Sequence, residues 1–206
     1  MNARTEDRKK TAGIFRIMAE FYKPPSEEFW IGLKEEQLFG SLRQAAMDAY
    51  GSTALMSALK MPESYEQLVD IYSATLSNTK EGAALPVESI YKIWTQDEGC
   101  TLPFAKSKGY LQGDPAFHIR FILEKFQIEI PPEYAGTPDH LSILLELFSY
   151  FIEHAQEEFT RGFLADHFDW LPDFKEKVRK TGVHPFYYQA TGLLMELLEL
   201  QRQTYR

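Results

Sequence analysis

The apolar residues of this chain recur every three or four positions, the spacing that places side chains on one face of an α-helix. The first such stretch starts at Thr11 and ends before Pro24 and Pro25, because proline cannot continue a helix. Ser26 is suited to cap a short second helix that ends near Leu33. No stretch shows the alternation of a half-buried strand, so the pattern predicts an all-α fold.

A third helical pattern covers residues 38–59, although Gly51 weakens it and can split it into two helices. Pro62 introduces the next helix. Ser64 and Gln67 are three residues apart and form the pattern of a capping box, in which side chains bond the free backbone N–H groups of a helix start. These signals predict at least two more helices in the first half of the chain.

Residues 78–100 break this regularity. They contain Gly82, Pro86 and Gly99, and their apolar positions keep no sustained period. We expect a long irregular loop, and loops of this length inside a compact domain often carry function.

The second half of the chain contains two strong helix-start signals. Asp114 reads as an N-cap followed by Pro115 at the first helical position. Pro138 and Asp139 repeat the signal, with an acidic side chain facing the positive end of the next helix. That helix, residues 141–152, is apolar on more than one face, which predicts a central place in the core. Two further helices are predicted to open at Pro172 and Pro185.

The chain has 206 residues, a length that suits a single domain covering residues 1–206 and provides enough residues for a real core. We therefore predict a single-domain helical bundle of roughly eight to ten helices.

The charge of the chain bears on its partners. Twenty-two Lys and Arg against thirty Asp and Glu give a net charge of −8. This charge argues against nucleic acid and against an anionic membrane surface as partners, since both need a basic face. A cationic partner is favoured weakly, because acidity also serves solubility.

The single cysteine, Cys100, excludes an internal disulfide and cysteine-rich metal sites, and a reducing compartment is the natural place for such a chain. Residues 1–10 are polar and lack the apolar core of a signal peptide. The strongest apolar stretch is too short to span a bilayer. We expect a cytoplasmic protein with no integral membrane segment.

Catalytic chemistry has little support in the sequence. There is no metalloprotease motif, no glycine-rich phosphate loop and no nucleophile elbow. None of the five histidines pairs with another at helical spacing, so we expect no metal site and no cofactor. Asp97 and Glu98 adjoin Cys100 and would raise its pKa, which favours an ordinary loop thiol.

Two polar motifs each allow more than one interpretation. Asp139 and His140 are either a helix cap with a partly exposed histidine or a polar patch at the mouth of a groove that receives a cationic peptide. His167 and Trp170 belong to a second motif, for which the favoured interpretation is packing of Trp170 at a corner between helices and a local hydrogen bond of His167.

In order and in length, the chain resembles the TorD/DmsD/NarJ-like family of redox-enzyme maturation chaperones. Each matching motif is weak alone, and their order is fairly specific. The matching segments are 22–25 (Tyr-Lys-Pro-Pro), 85–91 (Leu-Pro-Val-Glu-Ser-Ile-Tyr), 113–114 (Gly-Asp), 137–141 (Thr-Pro-Asp-His-Leu), 163–174 (Phe-Leu-x-x-His-x-x-Trp-Leu-Pro-x-Phe) and 186–187 (Phe-Tyr).

The resemblance implies a TorD-like all-helical, cytosolic chaperone and no enzyme. Such proteins bind the twin-arginine signal peptide, and often the apoprotein, of a molybdenum-containing oxidoreductase. They withhold it from the Tat translocon until its molybdopterin cofactor is inserted. Relatives are monomers or domain-swapped dimers, and the long central loop could act as the hinge of such a swap.

The resemblance also implies a set of peptide-binding residues. The family pattern Pro-x-Asp-His is one residue tighter here, and the family's loop often has a second proline followed by tryptophan and glycine where this chain has Val87 and Glu88. The implied residues are Tyr65, Tyr72, Pro86, Ser89, Tyr91, Gly113, Pro138, Asp139 and His140.

Two other functions stay open from the sequence. One is a generic helical scaffold for protein interactions, which a missing apolar groove would favour. The other is a nucleotide-binding hydrolase that would use Asp139 and His140, although no phosphate loop supports it.

Overall fold

The computed structural model describes residues 3–35, 37–51, 59–78 and 81–205. Within these ranges the chain forms ten α-helices and no β-strand, which confirms the predicted all-α bundle. A 3₁₀ turn, Pro132–Tyr134, separates α6 from α7. The helices are α1 (Ala3–Glu20), α2 (Glu27–Lys34), α3 (Gln37–Tyr50), α4 (Tyr65–Thr75), α5 (Glu88–Tyr91), α6 (Asp114–Phe126), α7 (Leu141–His154), α8 (Glu157–His167), α9 (Leu171–Thr181) and α10 (Pro185–Thr204).

Helix α7 lies at the centre of the core, as its apolar character predicts. Ten of its fourteen residues are buried, and α1 packs along its length. Phe148 is fully buried, with its ring centroid 4.8 Å from that of Phe15 on α1 and 5.5 Å from that of Phe168 after α8. None of the described helices combines the length and the apolar character needed to cross a bilayer.

Several predicted helix boundaries are confirmed. The Ser26 hydroxyl accepts from the N–H of Phe29 at 3.1 Å, and the Ser64 hydroxyl accepts from the N–H of Gln67 at 3.2 Å. Helix α3 ends at Tyr50, followed by Gly51 with φ of +67°, a conformation that glycine adopts without a steric penalty. Residues 52–58 of the predicted 38–59 helix lie outside the described residues.

Two predicted helix caps are wrong. The N-cap of α6 is Gly113, and the carboxylate of Asp114 instead accepts from the N–H of Gln96 at 2.8 Å, so that it fastens the preceding loop. The N-cap of α7 is His140, whose Nδ1 accepts from the N–H of Ser142. Asp139 therefore does not cap its own helix, because it lies one residue before the N-cap and its carboxylate accepts from Ser89 of α5.

The predicted loop of residues 78–100 contains a helical turn. Helix α5, four residues long, interrupts it, and the irregular chain then continues to Gly113. Hydrogen bonds hold the second part of this segment in shape, among them Trp94 N–H to the Ser107 carbonyl at 3.0 Å and Thr95 N–H to the Ala105 carbonyl at 2.9 Å. Periodicity cannot reveal α5, because four residues are little more than one turn.

Candidate functional site

The start of α7 and the start of α5 are joined into one unit by the backbone. The N–H of Leu141 donates to the carbonyl of Pro86 at 2.8 Å, and the N–H of Glu88 donates to the carbonyl of Asp139 at 3.1 Å. Val87 and His140 form an isolated antiparallel bridge between them. Two sequence motifs fifty residues apart are thereby brought together.

Asp139 is the side-chain link of this unit. Its Oδ2 accepts from the backbone N–H of Ser89 at 2.7 Å and from the Ser89 hydroxyl, so that it caps α5 rather than α7. The residue is fully buried, and burial raises the pKa of its carboxyl above the usual value, while the bonds from Ser89 oppose this shift. The prediction that Asp139 belongs to an exposed patch at a groove mouth is wrong.

His140 is likewise buried. Its Nδ1 lies 2.8 Å from the Ser142 hydroxyl, and its ring lies 4.9 Å from the ring of Tyr134, centroid to centroid. Burial lowers the pKa of His140 to about 4, so the ring is neutral at ordinary pH. Asp139 and His140 therefore hold the two helix starts in place and do not present charge to solvent.

Replacing Asp139 by asparagine should raise the free energy of unfolding near neutral pH by about 1 kcal/mol, because the buried charge is removed while one oxygen still accepts from Ser89. Because the pKa of Asp139 is raised in the fold, this advantage should shrink as pH falls toward 3.8, where the wild-type carboxyl also takes up a proton. Urea unfolding at several pH values measures it. Asp139→Ala, which keeps no acceptor for Ser89, should instead destabilise the fold at every pH.

A cleft of about 540 Å³ opens beside this unit, between α5, the start of α6 and the corner that joins α8 to α9. We call it the acidic cleft, because five carboxylates and two lysines line it. Its charged lining residues are Glu88, Lys92, Lys108, Asp114, Asp166, Asp169 and Asp173.

The apolar part of the acidic cleft is aromatic. The ring of Tyr91 stacks on that of Trp170 with centroids 5.2 Å apart, and Phe174 meets both rings from the core side. Trp170 is buried and its indole N–H donates to the carbonyl of His167 at 2.8 Å. The expected packing role of Trp170 is thus confirmed, and the same ring also lines the cleft.

A chain of hydrogen bonds runs from the interior to the wall of the acidic cleft. Oε2 of the buried Glu88 lies 2.8 Å from Nδ1 of His167, and Nε2 of His167 lies 3.0 Å from Nδ1 of His118. The other Glu88 oxygen lies 2.8 Å from the ammonium of Lys92. No local spacing predicts this cluster, because its members come from α5, α6 and α8. The expected local hydrogen bond of the His167 side chain is wrong, since both ring nitrogens bond residues from distant segments.

The remaining residues implied by the resemblance lie apart from the cleft lining. Tyr65 donates its hydroxyl to the carbonyl of Pro25 at 3.1 Å, and Tyr72 is half-buried against Tyr187. Gly113 lies at the α6 end of the cleft, where a side-chain Cβ would come within 2.5 Å of the Trp94 carbonyl. Of the implied set, only Tyr91 lines the acidic cleft, while Pro86, Ser89, Asp139 and His140 belong to the unit beneath it.

Comparison of the sequence with known protein families indicates the function to which this site belongs. The family described as nitrate reductase delta subunit matches residues 41–180, well over half of the chain. The chain belongs to this family. It is also similar to the chaperone protein TorD of Aliivibrio fischeri (strain ATCC 700601 / ES114), with 24% identity over 206 residues that cover 89% of this chain and 95% of the relative.

Membership of the nitrate reductase delta subunit family confirms the resemblance drawn from the ordered motifs. The protein is accordingly a redox-enzyme maturation chaperone and not an enzyme, which removes the nucleotide hydrolase from consideration. The buried positions of Asp139 and His140 agree with this, because neither side chain is open to a substrate.

Proposed function

We propose that this chaperone binds the twin-arginine signal peptide of a molybdenum-containing oxidoreductase in the acidic cleft. In this role it holds the apoprotein in the cytoplasm until its cofactor is inserted and withholds it from Tat export. Family membership supports the chaperone role. The observation that carries the proposed site is the acidic cleft. Asp166, Asp169 and Asp173 line it together with the stacked rings of Tyr91 and Trp170.

The charges of the acidic cleft suit a guanidinium ligand. Asp169 lies 2.7 Å from the ammonium of Lys92, and Asp173 lies 2.8 Å from that of Lys108. In the pair of Lys108 and Asp173 both side chains are more than half exposed, and exposed pairs of this kind contribute little free energy. Lys92 is only 24% exposed and also pairs with the buried Glu88. An arginine can therefore replace Lys108 beside Asp173 at little cost and bind the carboxylate through two parallel hydrogen bonds, which lysine cannot do.

The neighbouring surface suits the apolar part of a signal peptide. Phe117 and Phe121, one turn apart on α6, are 54% and 59% exposed, and His118 between them lines the cleft. Leu111, just before the helix, is also exposed. Exposed aromatic side chains beside a charged cleft fit a peptide that carries an arginine pair followed by an apolar run.

Isothermal titration with synthetic twin-arginine leader peptides of molybdoenzymes tests the proposal. Wild-type protein should bind, and a peptide with both arginines replaced by alanine should bind more weakly. Asp169→Asn combined with Asp173→Asn should weaken binding by about tenfold or more, because two charge-assisted pairs are lost. Glu196→Gln, which neutralises an exposed carboxylate on α10 away from the cleft, is the matched control and should change nothing.

Two results would count against this function. One is the failure of every twin-arginine peptide to bind while circular dichroism shows an intact helical fold. The other is binding that the two cleft substitutions leave unchanged, which would place the peptide elsewhere on the surface. The generic scaffold predicts equal binding of the arginine and alanine peptides. Oligomeric state, monomer or domain-swapped dimer, stays a prediction for size-exclusion chromatography with light scattering.

A further inference from the structure

The hydrogen-bond chain Glu88–His167–His118 determines which ring nitrogens carry protons. The ammonium of Lys92 pairs with one oxygen of Glu88 at 2.8 Å, and the carboxylate of such an ion pair can only accept hydrogen bonds. Nδ1 of His167, 2.8 Å from the other oxygen, must therefore be the donor. In a neutral His167 ring, Nε2 is then left with a lone pair.

The same reasoning determines which nitrogen of the His118 ring carries a proton. Nε2 of His167 lies 3.0 Å from Nδ1 of His118, and two lone pairs cannot face each other at hydrogen-bond distance. Nδ1 of His118 therefore carries the proton and donates it to His167. The remaining nitrogen, Nε2 of His118, is left as an acceptor on a side chain that is exposed and lines the acidic cleft.

One added proton reverses this outcome. If it goes to His118, Nε2 becomes an N–H donor directly. If it goes to His167, Nε2 of His167 donates to Nδ1 of His118, and the His118 proton must then be on its Nε2. In either case the cleft loses the acceptor at Nε2 of His118 and gains a positive charge. The hydrogen-bond chain Glu88–His167–His118 therefore has two discrete states that differ by one proton.

We propose that the Glu88–His167–His118 chain holds His118 as a hydrogen-bond acceptor for an arginine of the bound leader, and that protonation of the histidine pair releases it. The inference rests on the proposed function, since it adds a residue and a proton-driven release to the same site. It makes His118 a specificity-determining residue, because an acceptor at this position favours a guanidinium, which can only donate hydrogen bonds.

The charged groups around His118 favour the acceptor state near neutral pH. The His118 ring is exposed on one side only, so that partial loss of its hydration lowers its pKa, and His167 lowers it further. Lys92 on α5 acts in the same direction, while Asp166 on α8 and Glu88 on α5 oppose it. On its own helix, Asp114 also lines the cleft, and Asp169, Asp173 and Lys108 complete the charges that face it. An incoming guanidinium would add a positive charge and stabilise the neutral pair further.

Nitrogen NMR of the free protein tests the first half of the proposal without any peptide. Long-range ¹H–¹⁵N spectra at about pH 7.5 should show both His118 and His167 with the proton on Nδ1. Glu88→Gln should disturb the His167 pattern, as its amide can also donate. A His118 ring with the proton on Nε2 in the wild-type protein at this pH would overturn the proposal.

Titration of the twin-arginine peptide at two pH values tests the second half. Between about pH 7.5 and about pH 5.5, wild-type affinity should fall severalfold, by less than about tenfold because the pKa of His118 is lowered. His118→Gln keeps an acceptor but cannot titrate, so its affinity should change by less than about twofold over the same range. His154→Gln, an exposed histidine on α7, is the matched control and should keep the wild-type pH dependence.

The outcomes separate this inference from the proposed function. Peptide binding that is lost in the Asp169→Asn, Asp173→Asn variant but has the same pH dependence in wild type and His118→Gln would leave the function intact and refute the role of His118. Absence of peptide binding at both pH values would refute the proposed function and also the proton-driven release of the peptide. The NMR spectra would still decide the tautomer of His118.

Discussion

Replacement of Phe148 by alanine should lower the free energy of unfolding by about 3–5 kcal/mol, the cost of removing a fully buried phenyl ring. Phe148 lies in the middle of α7, with Phe15 on one side and Phe163 and Phe168 on the other. These neighbours come from α1 and from α8 with its C-cap and cannot all move inward, so a cavity remains. Urea or guanidinium unfolding followed by circular dichroism measures the loss.

Tyr150→Ala is the matched control for this substitution. Tyr150 lies on the same helix, but it is 38% exposed, and its ring contacts are with Phe151 and His154 of α7 itself. Its replacement should cost about 1 kcal/mol or less. Equal losses for the two variants would show that α7 is not the centre of the core, which would contradict the packing described above.

Acidification should destabilise the protein by up to about 3 kcal/mol through His140 alone. The pKa of this ring is about 4 in the fold and 6.5 in an exposed chain, because burial opposes its charged form. Above pH 6.5 the ring is neutral in both states and the stability is fully present. As pH falls from 6.5 to 4, only the unfolded chain takes up the proton, so the unfolded state gains stability.

His140→Asn isolates this effect. Asparagine is a preferred N-cap and can accept from the N–H of Ser142, yet it does not titrate. The free energy of unfolding of the variant should fall less between pH 6.5 and 4 than that of the wild type. His154→Gln, which changes an exposed histidine, should follow the wild-type curve. Parallel curves for wild type and His140→Asn would show that His140 is not held neutral by burial.

The N-cap at His140 is connected to the acidic cleft through hydrogen bonds. The start of α7 is bonded to α5 through Asp139 and Ser89, and α5 carries Glu88, which fixes the proton on His167. A disturbance at the start of α7 therefore reaches the wall of the acidic cleft through two buried hydrogen bonds. We expect His140→Asn to change peptide affinity less than the two cleft substitutions do, because it preserves the backbone bonds between α5 and α7.

Local signals in the sequence were sufficient for most of the helices. The proline pair at Pro24 and Pro25 and the caps at Ser26 and Ser64 act on the nearest backbone, so their effect can be read without knowing the fold. The same signals misplaced two caps, at Asp114 and Asp139. In both cases the carboxylate found backbone donors on another segment, which a local pattern cannot show.

The site was predictable only in part. The resemblance implied nine peptide-binding residues, and the structure brings four of them, Pro86, Ser89, Asp139 and His140, together. Their burial was not predicted, and it turns them into supports of the cleft rather than its surface. The residues that line the cleft at Asp169 and Asp173 were not selected, because single exposed acids on a chain of net charge −8 carry no distinguishing pattern.

By itself, the sequence determined the helical class, most helix boundaries and, through the order of its motifs, the family. Only the tertiary structure decided that Glu88, His118 and His167 form one chain of hydrogen bonds, and that the carboxylates of the α8–α9 corner face a cleft. The physical reason is the sequence separation of the interacting residues. Helix formation depends on residues three and four positions apart, whereas a buried polar network depends on partners that packing brings from distant segments.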